Sequence, residues 1–328
     1  SHTQVCRLRG SELTVLYDTP GMIRGLEADA RTLIVNANLP DRGGELYQLQ
    51  QNSLHALTHL QDSFVEDRRI VSPTPLPFCN RAGEELDGWV LIPEGAQEAA
   101  PASFPGILEI RAAYGAAFFH EMQLLCASGY FVFFCNPRGS EGYGEDFADL
   151  RGRYGTIDYE DLMDFTDAVL RACPALDPRR LGACGGSYGG FMCNWLETHT
   201  DRFAAIVSMR SIADWVSDFG TSEIGFAFDG EETGATPYAH PEIMWAQSPL
   251  KDAARATTPI LFLHSLCDYN CHFSQGLEMF TAMKMLGVPA RMVLFEGESH
   301  GLSRCGKPLH RERRLKEMLD WFARYLRP

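Results

Sequence analysis

Residues 182–192 read GACGGSYGGFM, a serine set in a run of glycines directly after an apolar segment. Gly185-Gly186-Ser187-Tyr188-Gly189 fits the pattern G-x-S-x-G, at a point where a strand should turn sharply into a helix beginning near Gly190. Such a turn holds its central residue in a strained conformation against close neighbours, so the flanking residues must lack bulk. The glycines therefore let the Ser187 hydroxyl stand exposed at a strand end. A glycine-rich turn whose serine caps the helix is the plainer reading of the pentapeptide alone. A phosphate-cradling loop is weaker, because the Lys-Ser/Thr that closes a P-loop is absent.

A serine hydroxyl becomes nucleophilic only beside a base, and that base needs a carboxylate to fix its tautomer. On a fold of this class the partners follow in the order serine, acid, histidine, each at a strand end. PILFLHSLCD supplies Asp268 just past one expected strand, and ARMVLFEGESHG supplies His300 just past the next. Alone, Asp268 reads as a turn residue and His300 as an ordinary histidine; together, in order and in place, they make a catalytic triad with Ser187. His264, inside its strand, is read as structural.

The surrounding pattern agrees. From about residue 105, short apolar runs alternate with helix-period segments, as in a parallel sheet with crossover helices. Strands are expected at 106–110, 131–135, 180–184, 204–207, 260–264 and 292–295. Helices are expected over 161–172, with Leu162, Phe165 and Val169 on one face, and at the C-terminus, with Leu315, Met318, Leu319, Phe322 and Leu326. The first 71 residues differ: SELTVLYD, RTLIVNANL and GELYQLQ alternate like antiparallel strands, and SPTPLP (72–77) reads as a linker. The expected class is α/β, a mostly parallel sheet over 72–328 preceded by a small antiparallel β segment over 1–71.

Composition narrows the function. The 328 residues are 45% hydrophobic and carry a formal charge of −14, which argues against binding nucleic acid or an anionic membrane. No run approaches the roughly 20 apolar residues of a membrane helix, and the N-terminus lacks a signal pattern. A soluble, cytoplasmic protein is expected. The ten cysteines are scattered through apparent strands and helices, as reduced thiols would be. Cys267 and Cys271, with His264 and His272 nearby, lack the second close ligand pair of a zinc site, so neither metal nor cofactor is expected.

NPRGSEGYGEDF, GGSYGGFMCNW, SPL and GVPARMVLFEGESHGLSR together resemble the catalytic domain of the prolyl oligopeptidase family, especially its acylaminoacyl-peptidase and dipeptidyl-peptidase branch, over roughly residues 75–328. The resemblance implies an α/β-hydrolase domain with Ser187 as nucleophile, His300 as base then acid, and Asp268 as the orienting carboxylate. It also implies that 28–60 is similar to one blade of the β-propeller preceding such domains, of which this chain has only a remnant. The family often forms homo-oligomers, although no interface signal stands out here. After its first catalytic strand the family carries a His-Gly-Gly-Pro loop supplying an oxyanion donor. Here GILEIRAAYGAAFFHE runs straight from Ile110 to Arg111, four residues short. Either the polypeptide lacks that donor or it holds residues that the sequence omits, and the intact flanks favour omission. The Tyr188 N–H remains as one donor, with Tyr114 as a second candidate.

SIADWVSDFGTSEIGFAFDG places Trp215, Phe226 and Phe228 where an apolar substrate pocket would lie, although packing of a helical cap reads equally well. Glu223 and Arg210 are candidates to meet a charged peptide end. The expected function is a serine peptidase acting on short peptides through an acyl-enzyme. A carboxylesterase or thioesterase on the same fold, and a non-catalytic module, are the alternatives.

Overall fold

A computed structural model describes residues 3–29, 31–111 and 115–327. The N-terminal residues form a hairpin of β1 (Thr3–Arg9) and β2 (Glu12–Thr19), then an antiparallel sheet of β3 (Met22–Ala28), β4 (Leu33–Leu39), β5 (Arg42–Gln50) and β6 (Ser53–Ala56). Their alternation buries Val5, Val35, Ala37, Tyr47 and Leu49 in a small core. The short α1 (Asp62–Glu66) follows. This part touches the rest near Phe118, whose N–H donates to Leu39 O (2.8 Å) and whose carbonyl accepts from Asn38 Nδ2 (3.1 Å).

An eight-stranded sheet organises the remainder. It comprises β7 (Thr74–Pro75), β10 (Gly88–Leu91), β11 (Phe104–Ile110), β12 (Phe131–Cys135), β13 (Leu176–Gly186), β14 (Ala205–Met209), β15 (Ile260–Ser265) and β16 (Ala290–Phe295), while β8 (Phe78–Cys79) and β9 (Glu85–Leu86) make a separate small ladder. The spatial order is β16-β15-β14-β13-β11-β12-β10-β7. From β12 to β16 neighbouring strands are parallel, and β10 and β7 add antiparallel pairs at one edge.

The six expected strands are all present. The antiparallel edge was not expected, and it claims part of the 72–77 linker: Thr74 and Pro75 pair with Val90 and Trp89. Proline is tolerated there because an edge strand has an unpaired side.

The helices are α2 (His120–Ala127), α3 (Glu145–Ala148), α4 (Ile157–Ala172), α5 (Tyr188–His199), α6 (Trp215–Thr221), α7 (Phe228–Thr233), α8 (Pro241–Ala246), α9 (Phe273–Met285), α10 (Leu302–Cys305) and α11 (Pro308–Leu326). They cover both faces of the sheet, so each central strand is apolar on both sides. In β12, Phe131, Phe133 and Cys135 enter the core containing Phe165 of α4 and Phe191 of α5. Val132 and Phe134 face the core containing Leu125 of α2 and Phe322 of α11. The buried stripes of α4 and α11 include the expected Leu162, Phe165, Val169, Met318, Phe322 and Leu326.

Phe165 is fully buried, 5.0 Å from the Phe78 ring and 6.2 Å from Phe133, and a Cβ on Gly88 would come within 2.2 Å of it. Replacing it with alanine leaves a cavity that these partners cannot close. Phe165→Ala is expected to lower stability by about 3–5 kcal/mol, read as a shift of the urea midpoint. A loss under about 1 kcal/mol would mean that this contact does not hold α4 to the sheet.

Candidate active site

Ser187 follows β13 and caps the start of α5 with φ 63° and ψ −122°, a conformation that costs a non-glycine residue energy. Its N–H donates to Met209 O and Arg210 O, both at 3.1 Å, which ties the turn to the end of β14. A Cβ on Gly189 would lie 2.2 Å from Ile110 O, and one on Gly190 would lie 2.4 Å from Met209 O. The glycines after the serine are thus required by the backbones of β11 and β14, against which α5 begins.

Asp268 follows β15 and is fully buried. Its Oδ1 accepts from Asn270 N and Cys271 N, each at 3.1 Å, which orients the carboxylate before any histidine is considered. His300 follows β16. Its Nδ1 lies 3.0 Å from Asp268 Oδ1 and 2.9 Å from Oδ2, and its Nε2 lies 3.1 Å from Ser187 Oγ. The carboxylate fixes the proton on Nδ1, leaving Nε2 to accept from the serine hydroxyl. The relay joins residues 113 positions apart in sequence.

His264 is buried, its Nε2 lies 2.9 Å from Cys271 O, and burial pushes its pKa down, so it is a neutral support of the Asp268 turn. Cys271 is buried, Cys267 is exposed, and His272 accepts from Ser274 N at the start of α9. Among the described residues, no group of three or more His, Cys, Asp or Glu side chains is placed to hold a metal ion.

Two cavities meet at Ser187 and His300. The smaller, of about 110 Å³, is lined chiefly by apolar groups, including Tyr154, Phe191, Ile212, Trp215, Ile224 and Phe228, with the Tyr188 ring at its wall. The Tyr188 hydroxyl is anchored to Asp158 Oδ2 at 3.0 Å. Of the expected pocket residues, Trp215 is buried and Phe228 lines the cavity. Phe226 does not; it is 76% exposed. Side chains two apart on a helical turn point to nearly opposite sides, so Phe226 and Phe228 cannot both face inward. Tyr154, Phe191 and the carboxyls Asp218 and Asp229, which also line the pocket, were not expected. The one available signal was the three-residue spacing of Trp215 and Asp218 on α6.

The larger cavity, of about 650 Å³, carries Arg24, Arg111, Arg210, Arg304, Arg311 and Arg314 against Glu109 and Glu121. Arg111 pairs with Glu109 and Arg314 with Glu121. Arg210 donates to Ser303 Oγ at 3.1 Å and lines this cavity, whereas Glu223 is exposed and lines neither. Tyr114 lies outside the described residues. The Tyr188 N–H occupies the first helical position, where no intrahelical acceptor exists.

The family model of the prolyl oligopeptidase family matches residues 116–328. The chain belongs to the prolyl oligopeptidase family. It is 39% identical over 307 residues to the uncharacterized peptidase YuxL of Bacillus subtilis, covering 92% of this chain and 46% of that protein. It is 33% identical over 190 residues to the acylamino-acid-releasing enzyme of Mus musculus, covering 55% and 26%. The fold superposes on Pyrococcus horikoshii acylaminoacyl peptidase with a TM-score of 0.90 at 34% identity, over 96% of this chain and 51% of that one. The chain thus spans about half the length of YuxL and of the solved peptidase, and its match to the mouse enzyme covers about a quarter of that protein.

The contact between Gly189 and Ile110 O makes a specific demand. Gly189→Ala is expected to push α5 away from β11 at a cost of about 1–3 kcal/mol, with a lower melting temperature and slower reaction of Ser187 with a fluorophosphonate. Wild-type values for both would show that the turn tolerates a side chain there.

Proposed function

We propose that this chain is the catalytic part of a serine peptidase that hydrolyses short peptides through an acyl-enzyme, of the acylaminoacyl- or dipeptidyl-peptidase type. The relay from Ser187 Oγ through His300 to Asp268 carries the reading. His300 takes the serine proton as the hydroxyl attacks the carbonyl, returns it to the leaving amine, and then activates water on the acyl-enzyme; Asp268 stabilises the imidazolium. The apolar pocket receives the side chain on the acyl side of the scissile bond.

The oxyanion is met by the Tyr188 N–H. A second donor would come from the segment after Ile110, where the chain is four residues shorter than the family's loop. Losing one donor costs about a hundred- to a thousandfold in rate. Were that donor absent, the deficit would weigh most on amides, whose leaving group is poor, and would favour the second reading as an esterase. Comparing an aminoacyl anilide with the matching ester separates the two.

Residues 1–71 read best as part of a β-propeller and 72–328 as the catalytic unit, a division supported by the separate N-terminal core. A cytoplasmic setting is supported by ten unpaired cysteines, five of them buried. Among the described residues no helix is long and apolar enough to cross a membrane. Homo-oligomer formation rests on the resemblance alone.

Ser187→Ala is expected to abolish the mass adduct that a fluorophosphonate leaves on the protein, with folding unchanged; labelling of the variant would remove Ser187 from the mechanism. Asp268→Asn, which presents the wrong tautomer to Ser187, should lower kcat by about 10⁴. A fall of less than about tenfold would mean that His300 is held by something else.

A further inference from the structure

The apolar pocket beside Ser187 contains two carboxyls that the proposed chemistry does not use. Asp218 on α6 and Asp229 on α7 are each 1% exposed and both line it. Their side chains face one another. Among the described residues no cation pairs with either carboxyl: the groups that hydrogen-bond to them are the His272 backbone N–H, to Asp218, and each other. The charges bearing most on the pair are themselves carboxylates: Asp268 and Glu278 on Asp218, and Glu232 on Asp229. Glu278 is engaged by Ser217 and Glu232 by the Tyr154 hydroxyl. Facing the pair from the catalytic side is His300, which also lines the pocket.

A buried carboxylate without a partner is costly, and cores avoid it unless something arrives to pair with it. An apolar side chain in the pocket would leave this carboxyl pair without a cation. A side chain with a long apolar stem and a cationic head would lie along Trp215 and Phe228 and bring the missing positive charge and donors.

Resting on the peptidase reading above, we propose that Asp218 and Asp229 form the specificity element of this pocket and select substrates with lysine, or a like cationic side chain, on the acyl side of the scissile bond. Without substrate, the pair lowers its cost by retaining a proton: burial first, then the nearby carboxylates, pushes both carboxyls well above the usual range. An arriving ammonium displaces that proton. Recognition therefore strengthens as pH rises and the pair ionises, while the lysine head stays charged to about pH 10.

The test compares kcat/KM for Nα-acetyl-lysine and Nα-acetyl-norleucine p-nitroanilides, which share a four-carbon stem and differ in the terminal ammonium that only lysine carries. The triad serves both, so its own titration cancels in the ratio. The lysine substrate is expected to lead by at least about tenfold near pH 9, with a ratio that falls towards about pH 6. In Asp218→Asn and Asp229→Asn, of nearly unchanged shape, the norleucine substrate should lead and the ratio should no longer follow pH. Melting temperatures and fluorophosphonate labelling of each variant separate lost recognition from lost folding. A wild-type preference for norleucine at every pH, with labelling intact, overturns this proposal alone. Failure of the wild type to label with the fluorophosphonate overturns the peptidase reading and this proposal together.

Discussion

The site depends on a close approach of backbones. For Ser187 to project from the end of β13, the first turn of α5 must begin against the carbonyls of Ile110 and Met209, and only residues without a Cβ fit at positions 189 and 190. The strain at Ser187 is held by its bifurcated N–H contact to Met209 O and Arg210 O and by a helix whose apolar side is fully sunk in the core. The hydrophobic burial of Phe191, Met192 and Leu196 thus fixes where one hydroxyl points. Parallel strands on either side then set the reach to the other two groups, because β15 and β16 lie side by side in register and deliver Asp268 and His300 at the same sheet edge.

What could be read from the sequence follows from how local each constraint is. The glycines around Ser187, the apolar runs of the central strands and the order of Ser187, Asp268 and His300 each leave a short-range signature, and each reappears in the fold. The antiparallel strand at Gly88–Leu91 is not legible because GWVL is only four residues long and opens with a glycine, which is present to make room for the Phe165 ring. Phe226 was misplaced because aromatic content says nothing of which way a turn faces. Asp218 and Asp229 could not have been paired from sequence at all: they are brought together by the packing of α6 on α7, and nothing between them sets the angle of that corner except tertiary contacts.

Electrostatic character changes across the nucleophile. On one side the small pocket is apolar with two buried carboxyls; on the other, six arginines face two glutamates in a chain whose overall charge is −14. Low-dielectric walls make such local charges count for more than the net charge of the molecule. On the proposed reading, a substrate crossing Ser187 meets a field with a direction, and the direction is set by residues that share no sequence neighbourhood.

The pocket and the triad are also mechanically joined. The Asp268 turn is held from within by Asn270 N and Cys271 N, and from outside by the α6–α7 corner: Glu223 N donates to Tyr269 O at 2.7 Å, and Ser222 Oγ donates to Asn270 O at 2.6 Å. Asn270 and Cys271 line the same pocket as Asp218 and Asp229. A side chain that fills the pocket and draws α6 and α7 against it presses on the loop that aims the Asp268 carboxylate, and through it on the tilt of the His300 ring. A poorly fitting side chain leaves that loop without this support. Discrimination between substrates should then fall on kcat as well as on KM, because the group that recognises the substrate and the group that orients the base hang on one short segment of backbone.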